Sequence, residues 1–115
     1  MNAESEDRLL EALFSCEAIG EFIEKETYGS FCETLLLQLA VQKAVENIGE
    51  CLGRVRREDS GLAAKVYELH RFVAIRNHIA HEYNDVDLGI VWRVVTEEVP
   101  ILAASISKVL SEHSG

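Results

Sequence analysis

The chain has 115 residues, of which 48% are hydrophobic, and its 20 acidic and 11 basic side chains give a net charge of −9 at pH 7. This length and composition suit one globular domain over residues 1–115 and exclude a disordered or collagen-like chain. No apolar stretch approaches the roughly 20 residues of a transmembrane helix, and the acidic N-terminus is unlike a signal peptide, so neither is expected.

The cysteines indicate the cellular compartment. Cys16, Cys32 and Cys51 are an odd number and show no Cys-x-x-Cys or Cys/His metal-ligand spacing. A secreted disulfide framework is therefore not expected, and a reducing cytoplasm fits better. We predict that all three thiols pack as small apolar side chains.

The charge is unevenly distributed along the chain. Residues 1–50 carry 11 acidic and 3 basic side chains and residues 84–115 carry 5 and 2, whereas residues 51–83 carry 6 basic and 4 acidic ones. Because most of the surface repels a polyanion, any contact with nucleic acid should be local. The candidate contact residues are Arg54, Arg56, Arg57, Lys65, Arg71 and Arg76. The alternative is that these are ordinary solvated charges near helix ends.

Apolar residues at helical spacing predict four helices, at about residues 5–26, 31–55, 62–83 and 86–110. No stretch shows the sustained alternation of a strand. Four long helices with short connections predict an all-α fold, an antiparallel up-and-down four-helix bundle. Pro100 should kink the fourth helix, because it removes an amide bond to the carbonyl four residues before it.

Several apolar positions of the first two helices are predicted to belong to the stripes that face the core. In the first helix Leu10, Phe14 and Phe22 widen the stripe, and in the second Leu35 and Leu39 begin it.

Two glycines in the second predicted helix indicate a close helix contact. Gly49 and Gly53 are four residues apart and lie on one side of the helix. Glycine costs about 1 kcal/mol in a helix interior relative to alanine, so the pair is expected to admit a neighbouring helix rather than to mark a break.

The third predicted helix carries a charge within its apolar seam. Leu69, Phe72, Arg76, Ile79 and Tyr83 follow one another at spacings of 3, 4, 3 and 4, which places all five along one side. An unpaired guanidinium in a core would cost several kcal/mol. Arg76 is therefore expected to be paired, hydrated in a cleft or held at an interface.

Asn77 and His81 are four residues apart on the same helix, so the amide can orient the imidazole. A histidine can move the protons of an RNA phosphodiester, and an arginine fork such as Arg76 can neutralise the reacting phosphate without metal or cofactor. Acid and base act on opposite sides of phosphorus. One histidine per chain therefore predicts a two-fold homodimer with a shared cleft, built on the apolar sides of the third and fourth helices.

At this point the sequence resembles a known family. Residues 76–83 (RNHIAHEY) are similar to the Arg, polar residue, three intervening residues, His, any residue, Tyr signature of the HEPN superfamily, most closely the HepT-like toxins. Residues 42–50 (QKAVENIGE) resemble the second helix of that family, and residues 85–92 and 99–102 resemble its fourth. The resemblance extends over residues 8–110.

The resemblance implies a HEPN-like fold and a cytoplasmic toxin that cleaves RNA as a homodimer. It also implies a partner, a small nucleotidyltransferase antitoxin of the MntA type. Carried onto this sequence, Arg76 and His81 are the catalytic pair, Asn77 assists them, and Tyr83 accepts adenylylation by the antitoxin. AMP on Tyr83 would add a phosphate on the side of the helix that carries Arg76.

Two other interpretations remain open. The first is a catalytically silent HEPN module that binds or presents substrate to a nucleotidyltransferase and does not need His81. The second is a helical dimerisation adaptor in which Arg76 pairs across the interface with Glu46 or Glu50. These two carboxylates are four apart on the second predicted helix, and could neutralise Arg76 in either interpretation.

Overall fold

The computed structural model describes residues 1–81 and 86–113, with the side chains of residues 80 and 81 excepted. All regular structure in these ranges is helical, which confirms the all-α prediction. None of the described helices combines the length and apolar character needed to cross a membrane. The helices are α1 (Ala3–Ile23), α2 (Tyr28–Glu33), α3 (Leu35–Glu58), α4 (Ser60–Ala63), α5 (Leu69–His81), α6 (Leu88–Arg93) and α7 (Val99–His113), with a π-helical turn at Val94–Glu98.

Helix α3 lies at the centre of the bundle, between α1 and α5, and α1 also packs on α7. Two side-chain contacts show the direction of α1 relative to α3. The Asn47 amide donates to the Ser15 hydroxyl at 2.7 Å, and the Cys51 thiol donates to the Glu11 carboxylate at 3.3 Å. Because the residue numbers rise along one helix as they fall along the other, α1 and α3 are antiparallel. The largest fully buried side chains include Leu9, Ile19, Phe31, Ile48, Leu52, Phe72, Leu102 and Ile106.

The second predicted helix, over residues 31–55, is two helices. Thr27 caps α2 through a capping box with Ser30, so this helix begins before the predicted start. Thr34 then adopts an extended conformation, with φ −117° and ψ 94°, and separates α2 from α3. Its hydroxyl donates to the Ser30 carbonyl at 2.7 Å. The helical pattern of the apolar residues spans this break, which is why the sequence suggested one helix.

The third predicted helix, over residues 62–83, is also interrupted. Residues 64–68 form turns between α4 and α5, and Glu68 has a left-handed backbone with φ 48°. The backbone N–H of Tyr67 donates to the Ser105 hydroxyl of α7 at 2.9 Å. A contact distant in sequence thus replaces a helical hydrogen bond, and the prediction of a continuous helix is wrong.

The fourth predicted helix corresponds to a continuous helical run from α6 through the π-helical turn to α7. The N–H of Val99 donates to the Val94 carbonyl, five residues before it, which is π-type bonding. Pro100 follows at once and has no N–H to offer the Thr96 carbonyl. The hydrogen bonding thus changes from α to π type just before Pro100, where the sequence predicted a kink.

Some apolar residues assigned to the helix stripes are on the surface instead. Leu10, Phe14 and Phe22 of α1 are exposed, and so are Leu35 and Leu39 at the start of α3. The buried face of α1 is narrower than its apolar pattern suggested. Its buried apolar side chains are Leu9, Ala12, Cys16 and Ile19.

The cysteines divide into two environments. Cys16 and Cys51 are buried as predicted, but Cys32 is exposed, so its assignment to the core is wrong. Burial raises the pKa of the Cys16 thiol to about 12. Burial, together with its bond to Glu11, likewise raises the pKa of the Cys51 thiol to about 12. Both remain protonated at neutral pH.

Candidate active site

Arg76 lies at the edge of the core rather than within it. The seam residues Leu69, Phe72 and Ile79 are 1–3% exposed, whereas 34% of the Arg76 side chain is accessible. The three apolar side chains are thus already buried by packing within the chain itself. The expectation that this seam forms the surface of a homodimer is therefore wrong.

Gly49 of α3 sets the position of Arg76. A Cβ atom built on Gly49 would lie 2.1 Å from the Cβ of Arg76 and 2.9 Å from the carbonyl oxygen of Phe72. Only a glycine lets the backbone of α5 come this close. The close approach predicted from the glycine pair is confirmed at Gly49, whereas a Cβ at Gly53 would have only ordinary contacts at 3.8 and 3.9 Å.

The Glu50 carboxylate holds two guanidinium groups. Nη2 of Arg76 donates to its Oε2 at 3.0 Å, and Nη2 of Arg54 lies 3.4 Å from its Oε1. Nη1 of Arg76 also donates to the Asn77 side-chain oxygen at 3.1 Å. Of the two carboxylates predicted to neutralise Arg76, Glu50 is the one in contact, and Glu46 lines the adjoining groove. The second arginine on Glu50 was missed, although its i, i+4 spacing on α3 was the available signal.

Two polar grooves open on either side of Arg76, between α3 and α5. The first, of about 120 Å³, runs toward the C-terminal end of α3. It is lined by Gly49, Glu50, Gly53, Arg56, Arg57, Val73, Arg76 and Asn77. The second, of about 170 Å³, runs toward the N-terminal end of α3 and is lined by Lys43, Glu46, Asn47, Glu50 and Arg76. We call them the arginine groove and the lysine groove.

The remaining basic residues of the middle segment lie elsewhere. Arg71 pairs with Glu98 of the π-helical turn, whose side chain is largely buried. Lys65 lies beside α7, with its Nζ 3.4 Å from the His113 ring. The six candidate contacts for nucleic acid are therefore not one patch.

The structure describes part of the predicted catalytic set. Arg76 and the exposed Asn77 are neighbours on α5, and the helix continues to His81, so Asn77 and His81 are four residues apart on it. The side chain of His81 and the whole of Tyr83 lie outside the described residues. His70 and His78 are exposed.

Comparison with known proteins assigns the family. The model of the ribonuclease HepT-like family matches residues 12–109. The chain belongs to the HepT-like family. This confirms the resemblance inferred from residues 76–83 and from the second and fourth predicted helices.

Individual HepT-like relatives are distant. A Methanocaldococcus jannaschii protein, named as a gamma-glutamylcyclotransferase and candidate RNase, is 31% identical over 87% of this chain, which spans only 45% of that protein. A Thermococcus cleftensis protein named "Probable ribonuclease HepT" is 26% identical over 94% of this chain and 97% of its own length. A candidate RNase of Caldanaerobacter subterraneus is 25% identical over 88% and 89% of the two chains. No solved structure gives a significant match.

The described side chains of this HepT-like protein include no group of three or more His, Cys, Asp or Glu residues close enough to share a metal ion. The groups gathered at the site are guanidinium, carboxylate and amide. Such a set can bind and neutralise a phosphate through charge-assisted hydrogen bonds.

Proposed function

We propose that this protein is a metal-independent endoribonuclease and the toxin of a toxin-antitoxin pair, acting in the cytoplasm as a homodimer. The observation that carries the proposal is the position of Arg76, half-buried on Gly49 and open to two polar grooves, in a member of the HepT-like family. A guanidinium held there by Glu50 and Asn77 is oriented before RNA arrives.

The proposed reaction is an internal transesterification of RNA. A base takes the proton of a ribose 2′-hydroxyl, and the 2′-oxygen forms a bond to phosphorus. The bond from phosphorus to the 5′-oxygen breaks, and an acid supplies a proton to that leaving oxygen. His81 is the proposed proton carrier, Arg76 stabilises the charge on the pentacoordinate phosphate, and Asn77 assists. The products are a 2′,3′-cyclic phosphate and a 5′-hydroxyl.

The homodimer follows from this chemistry, because one chain offers one His81 for two proton transfers on opposite sides of phosphorus. Its surface must differ from the seam of Leu69, Phe72 and Ile79, which is buried within the chain. Light scattering should therefore give twice the chain mass of 12.9 kDa. A clean monomer that still cleaves RNA would contradict the shared cleft.

Control of the toxin is proposed to act through Tyr83. A nucleotidyltransferase antitoxin of the MntA type would transfer AMP from ATP to its hydroxyl, with release of pyrophosphate. Tyr83 follows Arg76 by seven residues in the sequence, a spacing that the helical pattern predicts to lie on one side, so the new phosphate would carry negative charge toward the guanidinium meant for RNA. The added nucleotide would also obstruct the cleft.

The decisive experiment is incubation of the purified protein with RNA in EDTA, followed by analysis of the new ends. We expect cleavage that leaves a 2′,3′-cyclic phosphate and a 5′-hydroxyl, and its loss in His81→Ala. Products with a 5′-phosphate, or strict dependence on magnesium, would contradict the role of His81. A folded protein that binds a nucleotidyltransferase but never cleaves RNA would favour the silent HEPN module.

The adaptor interpretation is weakened by one contact. It requires Arg76 to seek a carboxylate across an interface, but Arg76 already bonds Glu50 within its own chain at 3.0 Å.

A further inference from the structure

We propose that the arginine groove is a phosphate subsite for RNA, which binds the backbone phosphate next to the cleaved bond on one side only. This inference rests on the proposed function and names the part of the chain that holds the substrate beside the reacting phosphate. The charge pattern of the sequence does not choose among six basic residues, whereas the groove selects Arg56 and Arg57.

The arginine groove has the charge that an RNA phosphate needs. Arg56, Arg57 and Arg76 line it together with one carboxylate, Glu50, which already bridges Arg54 and Arg76. Arg56 and Arg57 are exposed, and neither takes part in an ion pair with any residue that the structure describes. Arg56 donates instead to the His70 ring at 3.1 Å. Both guanidinium groups are thus available for a bidentate bond to a phosphate.

The glycines of α3 make this groove open. Gly49 and Gly53 are one helical turn apart, about 6 Å along the axis, and both belong to its lining. Nη1 of Arg57 would be 3.8 Å from a Cβ on Gly53, so the guanidinium lies over the bare backbone there. A phosphate can therefore enter between Arg56 and Arg57 while its neighbour in the strand reaches Arg76.

The lysine groove, on the other side of Arg76, lacks this excess of positive charge. Its cations are Lys43 and the shared Arg76, and its carboxylates are Glu46 and the shared Glu50. Positive and negative groups are balanced, so a second phosphate gains little there. The difference between the two grooves predicts that backbone contacts extend from the cleaved bond in one direction.

The other basic residues do not compete for this role. The Arg71 guanidinium is committed to Glu98, and Lys65 lines a separate groove with Lys108, between residues 64–68 and α7. The groove lined by Lys65 and Lys108 provides a matched control, because replacing its two cations lowers the net charge by as much as replacing Arg56 and Arg57 does.

The test is binding of a fluorescein-labelled ten-nucleotide 2′-O-methyl RNA, which lacks the attacking hydroxyl, to the His81→Ala protein. The variant Arg56→Ala/Arg57→Ala should bind about tenfold more weakly. Its plot of log K against log salt should be shallower by about 0.7, the value for one lost phosphate contact on a single strand. The matched control Lys65→Ala/Lys108→Ala should retain both the affinity and the slope.

The one-sided contact is tested with neutral methylphosphonate linkages placed in turn on either side of the bond that the wild type cuts. We expect a loss of affinity at one flanking position only, and no such loss in Arg56→Ala/Arg57→Ala, because the two changes remove the same contact. Equal losses on both sides would overturn the proposal.

Four further outcomes have definite meanings. If both double variants weaken binding equally, the effect is one of net charge and the subsite does not exist. If RNA binding is unchanged but a cognate nucleotidyltransferase binds less tightly, the groove serves a protein partner and the proposal is wrong. If the groove variant binds and cleaves RNA like wild type, the subsite proposal is wrong while the proposed function stands. A wild type that neither binds nor cleaves RNA refutes the proposed function.

Discussion

The α5 backbone at Arg76 rests directly against Gly49 of α3, with 2.1 Å between the Arg76 Cβ and the place that a Cβ on Gly49 would occupy. The nearest atoms belong to the base of a side chain and to the carbonyl of Phe72, which cannot turn away as the end of a flexible side chain can. The position of the candidate catalytic arginine therefore depends on the absence of a side chain one helix away.

Gly49→Ala should move α5 away from α3 and destabilise the protein by about 1–3 kcal/mol, the usual cost of overpacking. Gly53→Ala is the matched control, because its Cβ would make only ordinary contacts. That variant should gain up to about 1 kcal/mol from the helix propensity of alanine. Urea unfolding of both variants measures the difference, and equal stabilities would show that the helices adjust freely.

Arg76→Met should reduce RNA cleavage by at least about 100-fold while changing stability by less than about 1 kcal/mol, since its ion pair with Glu50 is partly exposed. Arg71→Met is the control on the same helix. It leaves the largely buried Glu98 without its partner, so it should cost about 1–2 kcal/mol and keep cleavage by the folded fraction. An Arg76→Met protein that cleaves normally would remove Arg76 from the catalytic set.

Glu50→Gln should tighten the binding of RNA several-fold at low salt. The Glu50 carboxylate occupies both Arg54 and Arg76, so a phosphate must compete with it, whereas the neutral amide still accepts a hydrogen bond without cancelling their charge. Fluorescence anisotropy with the 2′-O-methyl RNA, in the His81→Ala background, measures the effect. Glu46→Gln is the control, because Glu46 lines the lysine groove without an observed bond to Arg76. Weaker binding by Glu50→Gln would mean that Glu50 chiefly orients the arginines.

Tyr83→Phe should keep the fold and much of the RNA cleavage, because the hydroxyl has no part in the proposed proton transfers. The variant should resist neutralisation by the nucleotidyltransferase and ATP. Mass spectrometry after incubation with the partner, ATP and magnesium should find one or more AMP units on the wild type and none on Tyr83→Phe. A label at another residue, or a variant silenced as fully as wild type, would exclude Tyr83 as the control point.

The cysteines should differ in reactivity and in their effect on stability. Iodoacetamide at pH 8 should label the exposed Cys32 alone in the native protein and all three thiols in urea.

Burial raises the pKa of Cys16 and Cys51 from 9.0 to about 12. Unfolded thiols ionise first as the pH rises, so the free energy of unfolding should fall between about pH 9 and 12. Urea unfolding at several pH values should show a smaller fall in Cys16→Ala; an equal fall would assign the effect to other groups.

The apolar periodicity and the motif of residues 76–83 were enough to predict an all-α protein of the HepT-like family. Both depend on local spacing, because a helix places residues three and four apart on one face wherever it packs. The glycine at position 49 and the partner of Arg76 were also within reach of the sequence. A charged side chain inside an apolar seam must be neutralised, and the candidate carboxylates were few.

The tertiary structure decided the interruptions and the surfaces. The break before α5 depends on a bond from Tyr67 to Ser105, 38 residues away, which no local pattern contains. Whether Phe14 or Leu69 is buried depends on which face meets a neighbouring helix, so one is 73% exposed and the other 2%. The arginine groove likewise combines residues of α3 and α5 that only the packing of the two helices brings together. Sequence spacing determines the faces of a helix, but the neighbours of each face are settled by packing among distant parts of the chain.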